Sequence, residues 1–170
     1  MEEIGNVHAS EHLLSFAEDV CPHDRTNREG HAAKVYFNAL FGKEFSRSED
    51  CAVNACLNYG YSILLSAFNR EVTVAGYYTQ LGIFHNNASN PFNLGSDLME
   101  PFRPLVDRCV RGMNPGSLTT VEKIALVDVL NTEVVIDQKR NYLLNAMRVY
   151  CRSVFDAMNE EDPTLLRFTE

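Results

Sequence analysis

The sequence lacks a long apolar run, a secretory start and a CxxC pair of cysteines. Its most apolar segments, 63–68 and 124–130, are interrupted by Ser66 and Asp128 and stay below the ~18 residues of a membrane span. The first six residues, MEEIGN, are acidic and precede no apolar segment, so we expect no signal peptide. The five cysteines are an odd set without a CxxC motif. They predict reduced thiols in a cytoplasmic protein, not a disulfide framework or a Cys-rich zinc site.

Acidic residues outnumber basic ones, and the net charge of -8 counts against a nucleic-acid binder. The distribution of charge changes that interpretation. Six of the 23 acidic residues precede residue 25 and four follow residue 159, whereas 14 of the 15 basic residues lie from residue 25 to residue 159. The central region is therefore nearly neutral, and a divalent cation bound there would favour anions further. The 45% hydrophobic content predicts an ordinary globular chain with one core and names no function.

The apolar periodicity predicts a mostly α protein, a single bundle-like helical domain over residues 1–170. Its parts are a lead-in helix in 1–25, a central segment in 26–112 that carries the main candidate site, and a helical scaffold with a tail in 113–170. Glu133–Ile136 is at most a short strand. Helices are expected at about 9–20, from a cap at Thr26 or Asn27 to Phe41, at 50–68, at 70–75, from an N-cap at Ser96 to Val110, from the capping box Thr119-x-x-Glu122 to Val129, and at 143–158.

The first three helices each have a predicted buried face. The third, from about Asp50 to Phe68, should be central to the fold. The side chains expected to be buried are Leu13, Leu14, Ala17 and Val20 in the first helix, Ala32, Ala33, Tyr36, Phe37 and Leu40 in the second, and Val53, Leu57, Tyr61, Leu64, Leu65 and Phe68 in the third.

The first candidate site is His8-Ala-Ser-Glu11-His12, which fits the H-x-x-E-H string of inverted zinc peptidases. In such a site, two histidines four apart on a helix bind zinc while the glutamate activates water. The string is short enough to occur by chance, and it lies near the start of the chain, where segments are poorly ordered unless tied down. A solvated helix face is therefore the favoured interpretation.

The dipeptide His23-Asp24 is the second candidate. Metal phosphohydrolases use such a pair together with further His and Asp ligands from other helices. Here the pair follows Pro22, and aspartate is common in turns. A loop and capping pair is the favoured interpretation, with a metal-dependent phosphohydrolase as the alternative.

The third candidate is a dispersed set: Glu29 at the start of the second helix, His85 after a glycine-marked bend, and Asp97 with Glu100 at another helix start. Residues three apart on a helix lie about 5–6 Å apart on one face, so Asp97 and Glu100 can approach one cation together. Two acids and an imidazole suit Mn²⁺ or Mg²⁺ better than structural zinc. Acids in a first turn also stabilise the helix dipole, and His85 fits an ordinary half-buried histidine, so spacing alone leaves the site open.

Four motifs surround these residues. They extend from about Thr26 to Arg111. In residue identity, order and spacing they closely resemble the helical catalytic domain of the CRISPR adaptation integrase family, in particular its type II branch. Four separate motifs in register make a chance match implausible. The motifs are Asn27-Arg-Glu29-Gly-His-Ala-Ala-Lys-Val-Tyr36-Phe37-Asn-Ala-Leu-Phe41-Gly, Asn54-Ala-Cys-Leu57-Asn-Tyr59-Gly-Tyr61, Gly82-Ile-Phe-His85 and Ser96-Asp97-Leu-Met-Glu100-Pro-Phe-Arg103-Pro.

The resemblance implies a ligand set. The metal ligands of that family are the Glu of the EGHAA motif, the His of the G-x-x-H motif and the acid that closes D-L-x-E, which fall here on Glu29, His85 and Glu100. Asp97 matches a further acid beside the metal, which would orient His85 or a water molecule. The resemblance therefore predicts catalytic roles for these four residues and an Mn²⁺ or Mg²⁺ cofactor.

The implied reaction is a transesterification, in which the 3′-hydroxyl end of a captured DNA fragment attacks a phosphodiester at a CRISPR repeat. A metal ion would polarise the phosphate and align the reacting groups, and the same effects would support nuclease activity. A solvated basic face is the alternative for the residues expected to position DNA through its phosphates. These residues are Arg28, Lys34, Arg103, Arg108 and Arg111.

Partners follow from the same resemblance: DNA, a small ferredoxin-like adaptation protein and, in full-length family members, a second copy of the chain. The family also has an N-terminal β-rich dimerisation domain, for which the 28 residues before Glu29 leave no room. We therefore expect the helical catalytic domain alone, with weakened dimer and partner binding, and no membrane association. A helical module of the same fold that binds partners without turnover is the alternative from another class.

Overall fold

The computed structural model describes residues 7–21 and 24–169, which fall into two compact units. The first unit spans Met1–Asp50 and the second Cys51–Glu170. Helices dominate the described residues, whose strands form a two-stranded hairpin. The predicted mostly α class is therefore confirmed. Within the described ranges no helix has the length and apolar character needed to cross a bilayer.

In the described residues of the first unit, α1 (Val7–Glu18) packs against α2 (Arg28–Phe41). Asp24 caps the start of α2. Its two carboxylate oxygens accept hydrogen bonds from the backbone N–H groups of Arg28 (2.7 Å) and Glu29 (2.9 Å). Because the first turn of a helix leaves its N–H groups without helical acceptors, this carboxylate supplies the acceptors for two of them. The capping role predicted for the His23-Asp24 pair is thus confirmed for Asp24, while His23 lies outside the described residues.

The other capping predictions for α2 give mixed results. Asn27 precedes the helix in a left-handed conformation and makes no side-chain capping bond, so its predicted role passes to Asp24. The helix ends at Phe41 as predicted, and Gly42 follows it: the φ of 102° suits glycine, and the Gly42 N–H donates to the carbonyl of Asn38.

The buried faces predicted for α1 and α2 are wrong. Although α2 is described throughout, none of its residues is fully buried, and its apolar side chains are half-buried or exposed. In α1 the buried residue is Ala9, whereas Leu14 and Val20, which follows the helix, are 60% and 55% exposed. Two helices bury only the stripe along which they touch. The apolar surface of α1 and α2 is therefore larger than the surface that their mutual contact buries.

The second unit is built around α3 (Ala52–Val74), which packs against four other helices. Phe68 is fully buried on α3, with its ring 5.1 Å from that of Phe102 and 6.2 Å from that of Tyr150, centroid to centroid. The remaining elements of this unit are α4 (Asn93–Met99), a 3₁₀ turn (Glu100–Phe102), α5 (Arg103–Met113), α6 (Thr120–Asp128), a 3₁₀ turn (Val129–Asn131), β1 (Glu133–Ile136), β2 (Lys139–Tyr142), α7 (Leu143–Glu160) and a 3₁₀ turn (Pro163–Leu165).

The central position predicted for α3 is confirmed, but its predicted end at Phe68 and the separate helix at 70–75 are wrong. One helix continues to Val74 because Glu71 and Val72 are buried against the unit. Arg70 contacts one oxygen of the Glu71 carboxylate at 2.9 Å. Of the predicted α3 face, Val53 and Leu65 are half-buried and the rest is buried.

The single helix predicted after an N-cap at Ser96 is also wrong. The chain forms α4, a 3₁₀ turn and α5 in succession, with prolines at 101 and 104 in the first turns of the last two elements. Ser96 lies inside α4, where its hydroxyl donates to the carbonyl of Phe92 (2.9 Å). The two prolines account for the interrupted path, because a proline inside a helix removes a backbone donor and kinks or ends the helix.

The hairpin contains the short strand predicted at Glu133–Ile136 and a second strand that was not predicted. Glu133 pairs with Tyr142 and Ile136 with Lys139 in antiparallel register. Asp137 and Gln138 turn the chain with φ of 52° and 60°. Two successive positive φ angles match a type I′ turn, for which Asp-Gln is a weaker sequence signal than Asn-Gly.

The five thiols should differ sharply in reactivity towards Ellman's reagent. Cys56 and Cys151 are buried, whereas Cys21 is exposed. Burial, reinforced by the nearby charge of Glu71, raises the pKa of Cys151 to about 12, so its thiol stays protonated. We expect Cys21 to react on mixing and the two buried thiols only after unfolding in urea. Rapid reaction of all five thiols in the native protein would contradict this core.

Candidate metal centre

His85 lies in the loop between α3 and α4 and is fixed there by Asp97 of α4. Its Nδ1 is 2.5 Å from Oδ1 of Asp97, and its backbone N–H donates to the same oxygen (3.0 Å). The other oxygen of Asp97 accepts from the N–H groups of Ile83 (2.5 Å) and Phe84 (3.1 Å). One carboxylate therefore sets both the path of the loop and the orientation of the imidazole.

The protonation state of Asp97 determines which nitrogen of His85 is available to a ligand. Burial alone would raise the pKa of Asp97, but the hydrogen bonds from the His85 ring and from three backbone N–H groups outweigh it and hold the pKa below its ordinary value. An ionised carboxylate accepts hydrogen bonds but donates none, so the proton of a neutral imidazole lies on Nδ1. Nε2 then keeps its lone pair, as metal-binding histidines require.

Gly82 and Asn93 hold the loop close to α4. A Cβ on Gly82 would lie 2.2 Å from the carbonyl oxygen of His85 and 2.8 Å from Asp97 Oδ2, so only glycine fits there. Asn93 is buried, and its amide nitrogen donates to the carbonyls of Gln80 and Asn87, each at 3.0 Å. The prediction omitted Asn93, although a cluster of asparagines just before a helix was a signal that could have found it.

Glu100 lies in the 3₁₀ turn between α4 and α5, where Arg103 binds it. Arg103 Nη2 is 2.9 Å from Glu100 Oε1, and its guanidinium carbon lies 5.0 Å from the centre of the Tyr61 ring. The hydroxyl of Tyr61 donates to the buried carboxylate of Asp107. The hydrogen bond to Asp107 thus fixes the Tyr61 ring beneath the Arg103 guanidinium. Asp107 was not among the predicted site residues. Its spacing of four residues after Arg103 on α5 was the available signal.

The predicted ligands lie in both units. Glu29 lies in the first turn of α2 in the first unit, whereas His85 and Glu100 lie in the second. Across residues 7–21 and 24–169, no group of three or more His, Cys, Asp or Glu side chains is arranged to hold a metal ion. The structure brings together His85 and Asp97, and the Glu29, His85, Glu100 triad stays a prediction.

The donor chemistry of this set fits the predicted metals. Two carboxylates offer hard oxygen ligands, and an imidazole whose Nδ1 is held by Asp97 offers Nε2 as a nitrogen ligand. His85 is 37% exposed at its side chain and Glu100 is 39% exposed, so solvent reaches both groups. A carboxylate-oriented histidine with further acids suits Mn²⁺ or Mg²⁺.

The three arginines of α5 that are predicted to contact DNA do not share one face of that helix. Arg108 and Arg111 are exposed and lie three apart on α5, whereas Arg103 lies about 140° around the helix from Arg108 and turns to Glu100. In the first unit, Arg28 is 3.5 Å from the carboxylate of Asp19, and Lys34 is exposed on α2.

The zinc-like string His8, Glu11 and His12 lies on α1, exposed at all three positions. The ring of His12 lies 6.5 Å from that of His8 and 4.7 Å from that of Phe16, centroid to centroid. The favoured prediction, a solvated helix face, agrees with this exposure.

Taken together, these features define a helical domain with a carboxylate-oriented histidine, the pairing typical of metal sites. The model of the family described as "CRISPR associated protein Cas1" matches residues 26–123. The chain belongs to this family, which confirms the resemblance predicted from its motifs.

Relatives support the same assignment. The chain is 36% identical to the CRISPR-associated endonuclease Cas1 of Neisseria meningitidis serogroup C, across 99% of the chain and 57% of that protein. It is 37% identical to a CRISPR-associated endonuclease Cas1 of Thermus thermophilus, across 48% of the chain and 29% of that protein. The matched segments therefore cover 57% and 29% of the lengths of these two relatives.

A solved structure shares the fold. A casposase bound to its integration product superposes with a TM-score of 0.72 at 22% identity, covering 89% of this chain and 52% of that one. At this level of identity the likeness concerns the helical fold.

Proposed function

We propose that this chain is the helical catalytic part of a metal-dependent DNA integrase and endonuclease of CRISPR spacer acquisition. The observation that carries the proposal is the Asp97–His85 pair in a chain of the Cas1 family. Curated relatives named as endonucleases and a casposase bound to an integration product support a reaction on DNA phosphodiesters. The reaction would be transesterification by a 3′-hydroxyl, with hydrolysis as the related cleavage.

Glu29, His85 and Glu100 would hold the metal ion. When bound, Mn²⁺ or Mg²⁺ would supply polarisation of the scissile phosphate and compensation of its developing charge. Asp97 keeps the proton of His85 on Nδ1 and so presents Nε2. Arg103 is bound to Glu100 and lies over the Tyr61 ring, and its positive charge would stabilise a phosphate bound beside Glu100.

The positioning of DNA would fall to exposed basic residues. Arg108 and Arg111 offer two charges on one exposed face of α5, and Lys34 and Arg28 lie on the helix of Glu29. Such contacts bind the phosphate backbone and do not read bases. We include a small ferredoxin-like partner and a second copy of the chain, which the family resemblance implies, and a cytoplasmic location, which the cysteine content favours.

The test is strand transfer and cleavage on a branched DNA that carries a leader–repeat junction. We expect product in Mn²⁺ or Mg²⁺ and none in EDTA, because the acids and His85 would lose their shared cation. A small phosphate monoester serves as the parallel substrate. Its turnover without DNA joining or cleavage would favour the phosphohydrolase alternative. Mn²⁺ binding without turnover of either substrate would favour the non-catalytic helical module.

A further inference from the structure

The loop that leads to His85 exposes a set of large apolar side chains. Four of the five precede His85 within eight residues of chain, and the fifth lies at the start of α4. Monomeric proteins rarely expose several large apolar side chains from one short segment unless that segment binds something. We call them the loop patch: Tyr78 (73% exposed), Leu81 (70%), Ile83 (59%), Phe84 (63%) and Phe92 (41%).

Hydrogen bonds brace the loop patch. Thr79 donates its hydroxyl to the carbonyl of Pro91 (2.8 Å), and its own carbonyl accepts the N–H of Leu94 (2.9 Å). Asp97 binds the N–H groups of Ile83 and Phe84. The backbone that carries the exposed side chains is therefore held in place, so a ligand would meet a preformed surface and order little of the chain on binding.

The absence of charged residues around the loop patch limits the class of ligand that this surface can bind. No Asp, Glu, Lys or Arg occurs between Glu71 and Asp97, although 22% of the chain is charged. The segment thus has no carboxylate to repel a polyanion and no cation to bind its phosphates. It offers aromatic and aliphatic faces together with Asn, Ser, Thr and Gln side chains. These groups suit the stacking faces and polar edges of nucleobases better than the phosphate backbone.

We propose that the loop patch is a stacking platform for unpaired bases of the DNA strand whose phosphate is held beside His85. The ring of Phe84 stands nearly perpendicular to that of His85, at 87° with the centroids 6.1 Å apart. A base stacked on Phe84 would belong to a nucleotide next to the reacting phosphate. This inference rests on the proposed function. The proposed function requires contacts to phosphates alone, and the stacking platform adds contacts to bases.

The test compares binding to two DNAs in Mn²⁺: one with unpaired bases flanking the junction and one fully paired. Base–aromatic stacking contributes roughly 1–3 kcal/mol per base, so Phe84→Ala should weaken binding to the unpaired DNA by about 5- to 150-fold. Binding to the paired DNA should change less than about twofold, and Phe84→Trp should restore affinity. The matched control is Ile124→Ala, which removes an equally exposed side chain (65%) from α6. A 2-aminopurine beside the junction should be quenched by the parent chain and not by Phe84→Ala.

The outcomes separate the two proposals. Equal affinity of the parent chain and Phe84→Ala for the unpaired DNA would overturn the stacking platform while leaving DNA binding intact. Unchanged DNA affinity together with weaker self-association of Phe84→Ala in sedimentation would also overturn it and assign the patch to a second copy of the chain. Failure of the parent chain to bind either DNA, with Mn²⁺ bound, would overturn the proposed function and the platform with it.

Discussion

Replacing His85 by alanine should abolish Mn²⁺-dependent strand transfer, lowering its rate by about 10³-fold or more. The imidazole is the nitrogen ligand in the proposed set, and its Nε2 is available because Asp97 holds Nδ1. A loss of this size corresponds to about 4 kcal/mol in the activation free energy. The measurement is single-turnover strand transfer at saturating Mn²⁺, accompanied by Mn²⁺ titration followed by electron paramagnetic resonance.

The control must separate loss of a ligand from loss of any histidine. His12→Ala removes an exposed histidine from α1 and should leave the rate unchanged. His23→Ala tests the phosphohydrolase alternative. It is a cleaner variant than a change at Asp24, because Asp24 caps the helix that carries Glu29. Activity that survives in His85→Ala and is lost in His23→Ala would contradict the proposed centre.

Much of the second unit was predictable because its sequence pattern and its packing agree. The apolar repeat of α3 predicted a central helix, and Leu57, Leu64 and Phe68 are buried there. The end of α3 was not predictable from local signals, because the helix continues where Glu71 and Val72 find burial against other elements. Tertiary contacts thus overrode the apparent stop after Phe68.

In the first unit the pattern and the packing diverge. The apolar positions of α1 and α2 predicted buried faces, yet Leu14 is 60% exposed and α2, described throughout, contains no fully buried residue. Periodicity indicates which face prefers burial, but it does not supply the partner that covers that face. Asp24 was predictable as a cap because aspartate before a helix has a local role.

The candidate site shows the same limit. Motifs identified His85, Asp97 and Glu100, since their spacing and neighbours carry the resemblance. They could not reveal that Asp97 binds the loop backbone or that Arg103 binds Glu100, because these contacts depend on the path of a loop without regular structure. Gly82 illustrates the reason: its role follows from a close approach to Asp97, which chain order alone does not indicate.

Replacing Asp97 by asparagine should disable the centre while leaving most of the fold in place. The amide oxygen can still accept the N–H groups of Ile83 and Phe84, but the amide nitrogen would then face the ring and backbone N–H of His85. An amide donor there favours the tautomer in which Nδ1 accepts and Nε2 carries the proton. With its lone pair lost, Nε2 no longer binds a cation, and we expect a drop of about 10- to 100-fold in Mn²⁺ affinity.

Nitrogen-15 NMR of the imidazole measures the tautomer directly. The parent chain should show a protonated Nδ1 and Asp97→Asn a protonated Nε2. Asp97→Ala should differ, because it removes the acceptor of three backbone N–H groups, those of Ile83, Phe84 and His85, and should lower the free energy of unfolding by about 2–4 kcal/mol. Asp156→Asn, an exposed change on α7, is the matched control and should alter neither quantity. Loss of Mn²⁺ affinity in Asp97→Asn with the Nδ1 proton retained would show that Asp97 acts on the metal site by a route other than His85.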